Sequence, residues 1–497
     1  MQRRKLFPVI VLLVSMVLAA CGGGGAQSPT AATGGATTGG DTAATTAPAA
    51  TAAPAADTAA TAAPAATAAP ADTAATTAPA AGTTATTAPA AGGEVQVVTL
   101  WAPNAERCDP KEEWGTVVCM VEEFNQQNNG VRVELTSAPI DKWTDYVNSG
   151  ALAGDLPDVL FFDGPTLANF AWAGHLRPID EYVTPELADD FLPSVAKQNR
   201  YNDKWYAVSA FDGGFGIWAN RDYLEQAGVR IPTGVDDAWT RQEFEDALAK
   251  LQALEGVDYA MDMKMNYGQG EWFTYGFSPI LQSMGGDLID RQANKAEGTL
   301  NGPQSVEAME LFQSWINQGY VNATPAGDTD FDEGKAALSW VGHWMYTRYN
   351  EALGDKLVAL PMPKLGERAA TGLGSWGMAM TANTKNPDAA WQVMEYLIQP
   401  EQISRLTAVN GAVPARRSAL ENSELYKVGG PLHVLAEQLE TVAVARPVTP
   451  AYPVITRSFA QAVTDIAQGG DVKAALDQAA QDIDQDIQDN NGYAPQG

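Results

Sequence analysis

Cysteine and histidine are nearly absent. The 497 residues contain three of each, and His175, His343 and His433 stand far apart in sequence. That scarcity argues against a zinc centre, which needs a close set of nitrogen or sulfur ligands. No metal and no cofactor is expected. Positive charge is also short. There are 31 Lys and Arg against 60 Asp and Glu, a formal net charge of −29. Such a surface repels nucleic acid and anionic lipid and favours solubility. Signatures of catalysis are missing as well. No phosphate loop of the Gly-x-x-x-x-Gly-Lys-Ser/Thr type occurs. Gly213-Gly214-Phe215-Gly216 does not fit a dinucleotide fingerprint and reads as a bend. Gly374-Ser375-Trp376-Gly377 resembles a nucleophile elbow, but Leu373 stands where the elbow needs its first glycine. No enzyme is expected from these motifs. A carboxylate pair for glycoside hydrolysis stays open, because the spacing of 60 acids in space is not written in the sequence.

The chain begins with Arg3, Arg4 and Lys5, followed by an apolar run from Leu6 to Ala20. That run is too short to cross a bilayer comfortably, which takes about 20 residues, and it suits a secretory signal. It ends in Leu18-Ala19-Ala20-Cys21 and four glycines. The order resembles the bacterial lipoprotein box, which implies a signal peptide over 1–20 and a lipid on Cys21. Export implies an oxidising compartment, so the remaining cysteines, Cys108 and Cys119, are expected to pair. From 21 to 93 the sequence is almost entirely Ala, Thr, Pro and Gly, with near-repeats such as Thr61-Ala62-Ala63-Pro64-Ala65. Such a segment cannot bury a core and is expected to be a disordered tether. A flexible coil of this length averages about 45–50 Å end to end.

Residues 94–497 have an ordinary globular composition, and their length suggests more than one domain. Val95 to Trp101 reads as a buried strand, Val117 to Asn128 as a helix ending near Gly130, and Val131 to Leu135 as an alternating strand. Asp158 to Asp163 is a short apolar run that suits a buried parallel strand. Helical spacing recurs over Gln242–Leu254, Gln304–Gln318, Pro387–Ile398 and Val472–Ile487. Strands alternating with helices predict an α/β fold with largely parallel sheets. In such sheets ligands sit beyond the carboxyl ends of strands, where Asp163 falls. There are 13 tryptophans, many of them outside long apolar runs, among them Trp272, Trp340, Trp344 and Trp376. Sugars offer flat C–H faces and a rim of hydroxyls, so a site for them wants aromatic platforms with carboxylate and amide partners.

An ordered set of motifs gives these features a frame. Gly154-Asp155-Leu156-Pro157-Asp158-Val159 with Asp163 and Gly174-His175-Leu176-Arg177-Pro178 comes first. Lys204-Trp205-Tyr206-Ala207-Val208 through Asn220-Arg221 follows, with Ser209 where a proline is usual. Next come Phe331, Gly334-Lys335-Ala336-Ala337-Leu338 and Gly342-His343-Trp344. Gly372 to Trp376, Asn386-Pro387-Asp388-Ala389-Ala390-Trp391 and Asn410-Gly411-Ala412-Val413-Pro414-Ala415-Arg416 complete the set. From Val97 to Ile487 the chain resembles the extracellular solute-binding proteins of family 1, the carbohydrate receptors of ATP-driven importers that include the maltose-binding type.

The resemblance implies a two-lobed, periplasmic-binding-protein-like flytrap fold with crossing hinge strands. The lobes are expected at roughly 94–211 plus 364–440 and 212–363 plus 441–497. It implies a ligand between the lobes, closure on that ligand and delivery to permease subunits of the transporter. A monomer is expected, held by the lipid on Cys21 at the extracytoplasmic face of the membrane. Asp163 resembles the family's sugar-bonding carboxylate, and Asp212 near the first crossing is a further candidate. Glu271 and Trp272 resemble an acid and an aromatic wall of the second lobe. Trp344 matches the aromatic platform, Trp376 and Gly374 line the segment returning to the hinge, and Tyr452 follows the last crossing. Asn104, beyond the first strand, completes the candidates. The main rival ligand is glycerol-3-phosphate or a phosphodiester, for which Arg348 or Arg446 would supply the positive charge. An exported glycan-active enzyme is the rival from another class.

Overall fold

Apolar strands buried on both sides set the architecture. The computed structural model describes residues 95–374 and 376–494, so the signal, Cys21 and tether readings lie outside the described residues. β1 (Gln96–Pro103), β2 (Val131–Ala138) and β3 (Val159–Asp163) run parallel, with β1 between the other two. Val159, Leu160, Phe161 and Phe162 are all buried, because helices cover both faces of β3. The Pro-Asp-Val motif has a local reason. The Asp158 carboxylate accepts the N–H and the hydroxyl of Thr99, both at 2.8 Å, and so ties the start of β3 to β1.

After a small hairpin of β4 (Arg200–Tyr201) and β5 (Lys204–Trp205), β6 (Ala207–Ser209) joins the far edge of this sheet. The chain then leaves through β7 (Phe211–Asp212) and enters a second sheet with β8 (Phe215–Asn220). β9 (Tyr259–Asp262), β10 (Ala336–Gly342) and β11 (Leu357–Leu360) complete that sheet in the order β11-β8-β10-β9. Every residue of β8 and β10 is buried. β12 (Thr371–Leu373) leads back to β13 (Trp376–Met380), which slots into the first sheet to give β2-β1-β3-β13-β6. β14 (Val413–Pro414) pairs with β7, and β15 (Ala443–Ala445) pairs with β12. These two short ribbons lie where the chain passes between the sheets.

The expected strands and helices are present with shifted ends; the helix predicted from Val117, for example, spans Glu113–Gln126. Two expectations need correction. The sheets are mixed, not largely parallel: β13 runs antiparallel to β3 and β6, and β8 runs antiparallel to β10 and β11. A strand that returns through a crossing enters its sheet from the opposite end, and strand polarity cannot be read from hydrophobic runs. Phe215 and Gly216 are also not a bend but the start of the central strand β8. The bridge expected between Cys108 and Cys119 is formed, with Cα atoms 4.5 Å apart, and it ties the loop after β1 to the helix Glu113–Gln126.

Candidate functional site

One cation gathers the acids. Asp163 ends β3, and in register Trp376 lies opposite it on β13. Glu271 opens the helix Glu271–Ser283 of the second sheet's layer. Arg446 follows β15 immediately. Its guanidinium reaches both acids, with Nη2 3.3 Å and Nη1 3.4 Å from the two Asp163 oxygens and Nη1 also bonded to Glu271 Oε1. Glu271 is braced from behind. Tyr452 donates its hydroxyl to Oε1, and Thr456, one helical turn further on, donates to Oε2 at 2.7 Å. Burial raises the Glu271 carboxyl above the ordinary range, Arg446 pulls it back down, and the charge of Asp163 adds to the rise. Burial alone would lower the Arg446 value, but Asp163, Tyr452 and Glu271 more than reverse that and keep the guanidinium charged.

The guanidinium also lies 5.0 Å above the ring of Tyr275. A cation over an aromatic face is favourable. A Cβ on Gly374 would overlap Arg446 Nη2 and lie 3.1 Å from the Tyr275 ring.

Aromatic rings form the second part. The six-membered ring of Trp344 folds back onto Gly342, where a Cβ would overlap it, which explains the glycine two residues before the tryptophan. Trp344 donates its indole N–H to the Tyr267 hydroxyl at 3.2 Å. It meets Trp272 edge-on at 5.7 Å and Tyr275 at 6.1 Å. Trp272 is buried and donates to the Met263 carbonyl at 3.3 Å. Next to Trp344, His343 is buried, and burial lowers its pKa to about 4, so the ring is neutral at ordinary pH. Its Nδ1 lies 2.9 Å from the Asn410 carbonyl. From the first sheet's side, Trp376 meets Trp114 edge-on at 5.2 Å.

Of the residues singled out in the sequence, Asp163, Glu271, Tyr452 and Gly374 thus converge on Arg446. Trp272 and Trp344 share one aromatic cluster, and Trp376 stands beside Asp163. Tyr452 and Asp212 are shut off from solvent. Asp212 accepts from Ser194 Oγ at 2.7 Å, and burial raises its pKa against that bond. Both residues therefore support the site rather than line it. Asn104 is exposed in left-handed backbone, and its amide oxygen accepts the Ile140 N–H at 3.0 Å. Trp340 is a core residue with no exposure.

Arg446 was considered in the sequence only as a phosphate ligand. Tyr275, Tyr267, Trp114 and Thr456 gave no motif signal. Two of them were within reach of helical spacing: Tyr275 lies four residues after Glu271 and Thr456 four after Tyr452, one face in each case.

Two open α/β sheets joined by short crossing ribbons, with acids and aromatic rings from both layers at the junction, define a two-lobed binding protein of the flytrap class. The model of the bacterial extracellular solute-binding proteins matches residues 116–403, and the chain belongs to that family. A probable ABC transporter-binding protein of Deinococcus radiodurans is 26% identical over 344 residues, covering 64% of this chain and 76% of that protein. The sugar-binding protein MalE of Xanthomonas citri superposes with a TM-score of 0.67 at 22% identity, over 80% of this chain and 98% of that one. The GacH receptor of Streptomyces glaucescens, solved unliganded and with acarbose, superposes with a TM-score of 0.64 at 22% identity, over 80% of this chain and 99% of that one.

Proposed function

We propose that this chain is the extracytoplasmic, lipid-anchored receptor of an ATP-driven importer, that it binds a sugar or oligosaccharide between its lobes, and that it hands the solute to the permease. The observation that carries the reading is a half-buried indole, Trp344, linked through the Tyr275 ring to the Arg446 centre that holds carboxylates from two elements, Asp163 and Glu271. A ring face on an indole loses water, and hydroxyls donate to carboxylates. The phosphate reading has less support. Arg348 is paired with Asp332 at 2.8 Å and Asp328 at 3.2 Å, and Arg446 is paired with Asp163 and Glu271. Neither offers a free fork to a phosphate.

A thermal-shift screen over neutral mono-, di- and oligosaccharides, with glycerol-3-phosphate alongside, tests the reading. A ligand at 100 times its Kd stabilises by about 2.7 kcal/mol. The expected result is a saturable rise in melting temperature with one neutral saccharide class, no turnover of that saccharide, and a fall in the radius of gyration as the lobes close. Stabilisation by glycerol-3-phosphate alone, or hydrolysis of the saccharide, overturns it.

Anchoring rests on Leu18-Ala19-Ala20-Cys21 behind its basic and apolar lead. Cys21→Ser is expected to abolish labelling with a fatty-acid probe and to release the protein from membranes into the medium or periplasm. Unchanged labelling and retention in the membrane fraction would contradict the anchor.

A further inference from the structure

We propose that Arg446 is a positioning residue for ligand capture: it holds one acceptor from each layer, Asp163 and Glu271, on a single guanidinium, and so ties the placement of both acceptors to the junction of the two sheets. The inference rests on the receptor reading above for its ligand, but the arrangement itself is present in the free protein.

Exposure separates the roles. The Arg446 side chain is 4% exposed, whereas those of Asp163 and Glu271 are 26% and 29% exposed. The cation is therefore sealed in the floor, while each acid keeps one edge toward solvent. Its seat is specific. β15 delivers it, Tyr275 lies under it, Gly374 leaves room for it, and the fork is shared between two acids. A guanidinium cannot give up its proton in a protein, and its planar fork can serve two partners where an ammonium is a point charge. When both acids are ionised, two carboxylates with one guanidinium leave a surplus negative charge for hydroxyl donors to meet. The groups that face this centre are Asp163 from β3, Asp212 from β7, Glu271 and Tyr275 from the helix Glu271–Ser283, and Tyr452 from the helix Tyr452–Ala467. Arg446 is the cation whose charge bears on all of them, so its removal leaves Asp163 and Glu271, both half-buried, facing one another without a counter-charge.

The sign of the pH effect follows. Glu271 has a folded value above its unfolded one, so its contribution to stability is fully present below the unfolded value and is lost as pH rises through the folded one. Taking away Arg446 removes the influence that lowers the folded value, and this enlarges the loss.

The experiment compares wild type, Arg446→Met, Arg446→Lys and Arg446→Met/Glu271→Gln. Denaturant midpoints of the ligand-free proteins are measured from pH 5 to pH 8, with maltotriose affinity as a second readout. In Arg446→Met the midpoint is expected to fall with rising pH more steeply than in wild type. The Glu271→Gln change should flatten that slope, and Arg446→Lys should restore it only in part. If wild type binds maltotriose, Arg446→Met should weaken binding about tenfold or more, and the low-pH loss of binding should move to higher pH. A ligand-free slope in Arg446→Met equal to that of wild type, or a slope untouched by Glu271→Gln, overturns the proposal. Should Arg446→Met not fold, Arg446→Gln, which also removes the charge, decides in its place. Failure of wild type to bind any saccharide would overturn the receptor reading and leave the ligand-free comparison to decide on Arg446.

Discussion

Trp344→Ala is expected to weaken saccharide binding by about one to two orders of magnitude. Covering an aromatic face is worth about 1.5–3 kcal/mol, and about 1.4 kcal/mol is one decade in Kd. The stability of the free protein should change less. Trp344 is only half-buried, and its hydrogen bond is to the hydroxyl of Tyr267, which is 36% exposed. Trp340, two strand positions before Gly342, supplies the contrast. It is fully buried and donates to the Gly276 carbonyl at 2.8 Å, so Trp340→Ala should cost about 3–5 kcal/mol of stability. Calorimetric titration and denaturant unfolding of the two variants separate a platform from a core residue. Equal losses of stability with unchanged affinity in Trp344→Ala would remove the platform. The companion change Asp163→Asn should weaken a saccharide less than Trp344→Ala does, since the amide keeps one acceptor. It should strengthen a phosphate.

Gly213→Ala is expected to lower stability by about 1–3 kcal/mol, the range for forcing extra volume into a packed interior. A Cβ on Gly213 would overlap the Gly374 carbonyl and lie 2.6 Å from the Tyr275 hydroxyl. The first overlap is with backbone, which cannot rotate away. Here the crossing after β7 touches the segment after β12, so the damage falls on the junction itself. Interlobe distance in the free protein should therefore change together with the denaturant midpoint. Gly327→Ala serves as the control, because a Cβ there meets nothing within 4 Å. A Gly213→Ala protein with the midpoint and scattering profile of the control would mean that the crossings separate without cost.

Local chemistry explains what was legible beforehand. β3 could be read because four apolar residues in a row with an acid at the end fit only a strand buried on both faces. The helix Pro387–Leu397 could be read because Pro387 starts it and the apolar positions keep its period. The disulfide could be read because, past Cys21, only two cysteines remain in an exported chain. Asp163, Glu271 and Trp344 were reachable because motif order carries strand ends and helix starts with it. What failed was polarity and partnership. β13 is as apolar as any parallel strand, and nothing within Trp376–Met380 states that it enters its sheet from the far end. Phe215-Gly216 looked like a bend because its glycines are dense. That density is a matter of room instead: a Cβ on Gly216 would lie 2.7 Å from Leu435 and 3.0 Å from the Leu360 carbonyl.

The sequence by itself determined the class of fold, the export signals as an expectation, the disulfide and the residue types that a solute site draws on, because each depends on neighbours within a few positions or on the order of short motifs. Only the tertiary structure decided that Asp163, Glu271 and Arg446, which are 283 and 175 positions from one another along the two ion pairs, share one buried centre. It also decided that Tyr452 and Asp212 stand behind that centre and that Trp344 rather than Trp340 is half-open to solvent. The physical reason is that burial and charge pairing depend on which surfaces meet when the chain passes from one sheet to the other and back. A residue's own neighbours in the chain carry no record of that meeting.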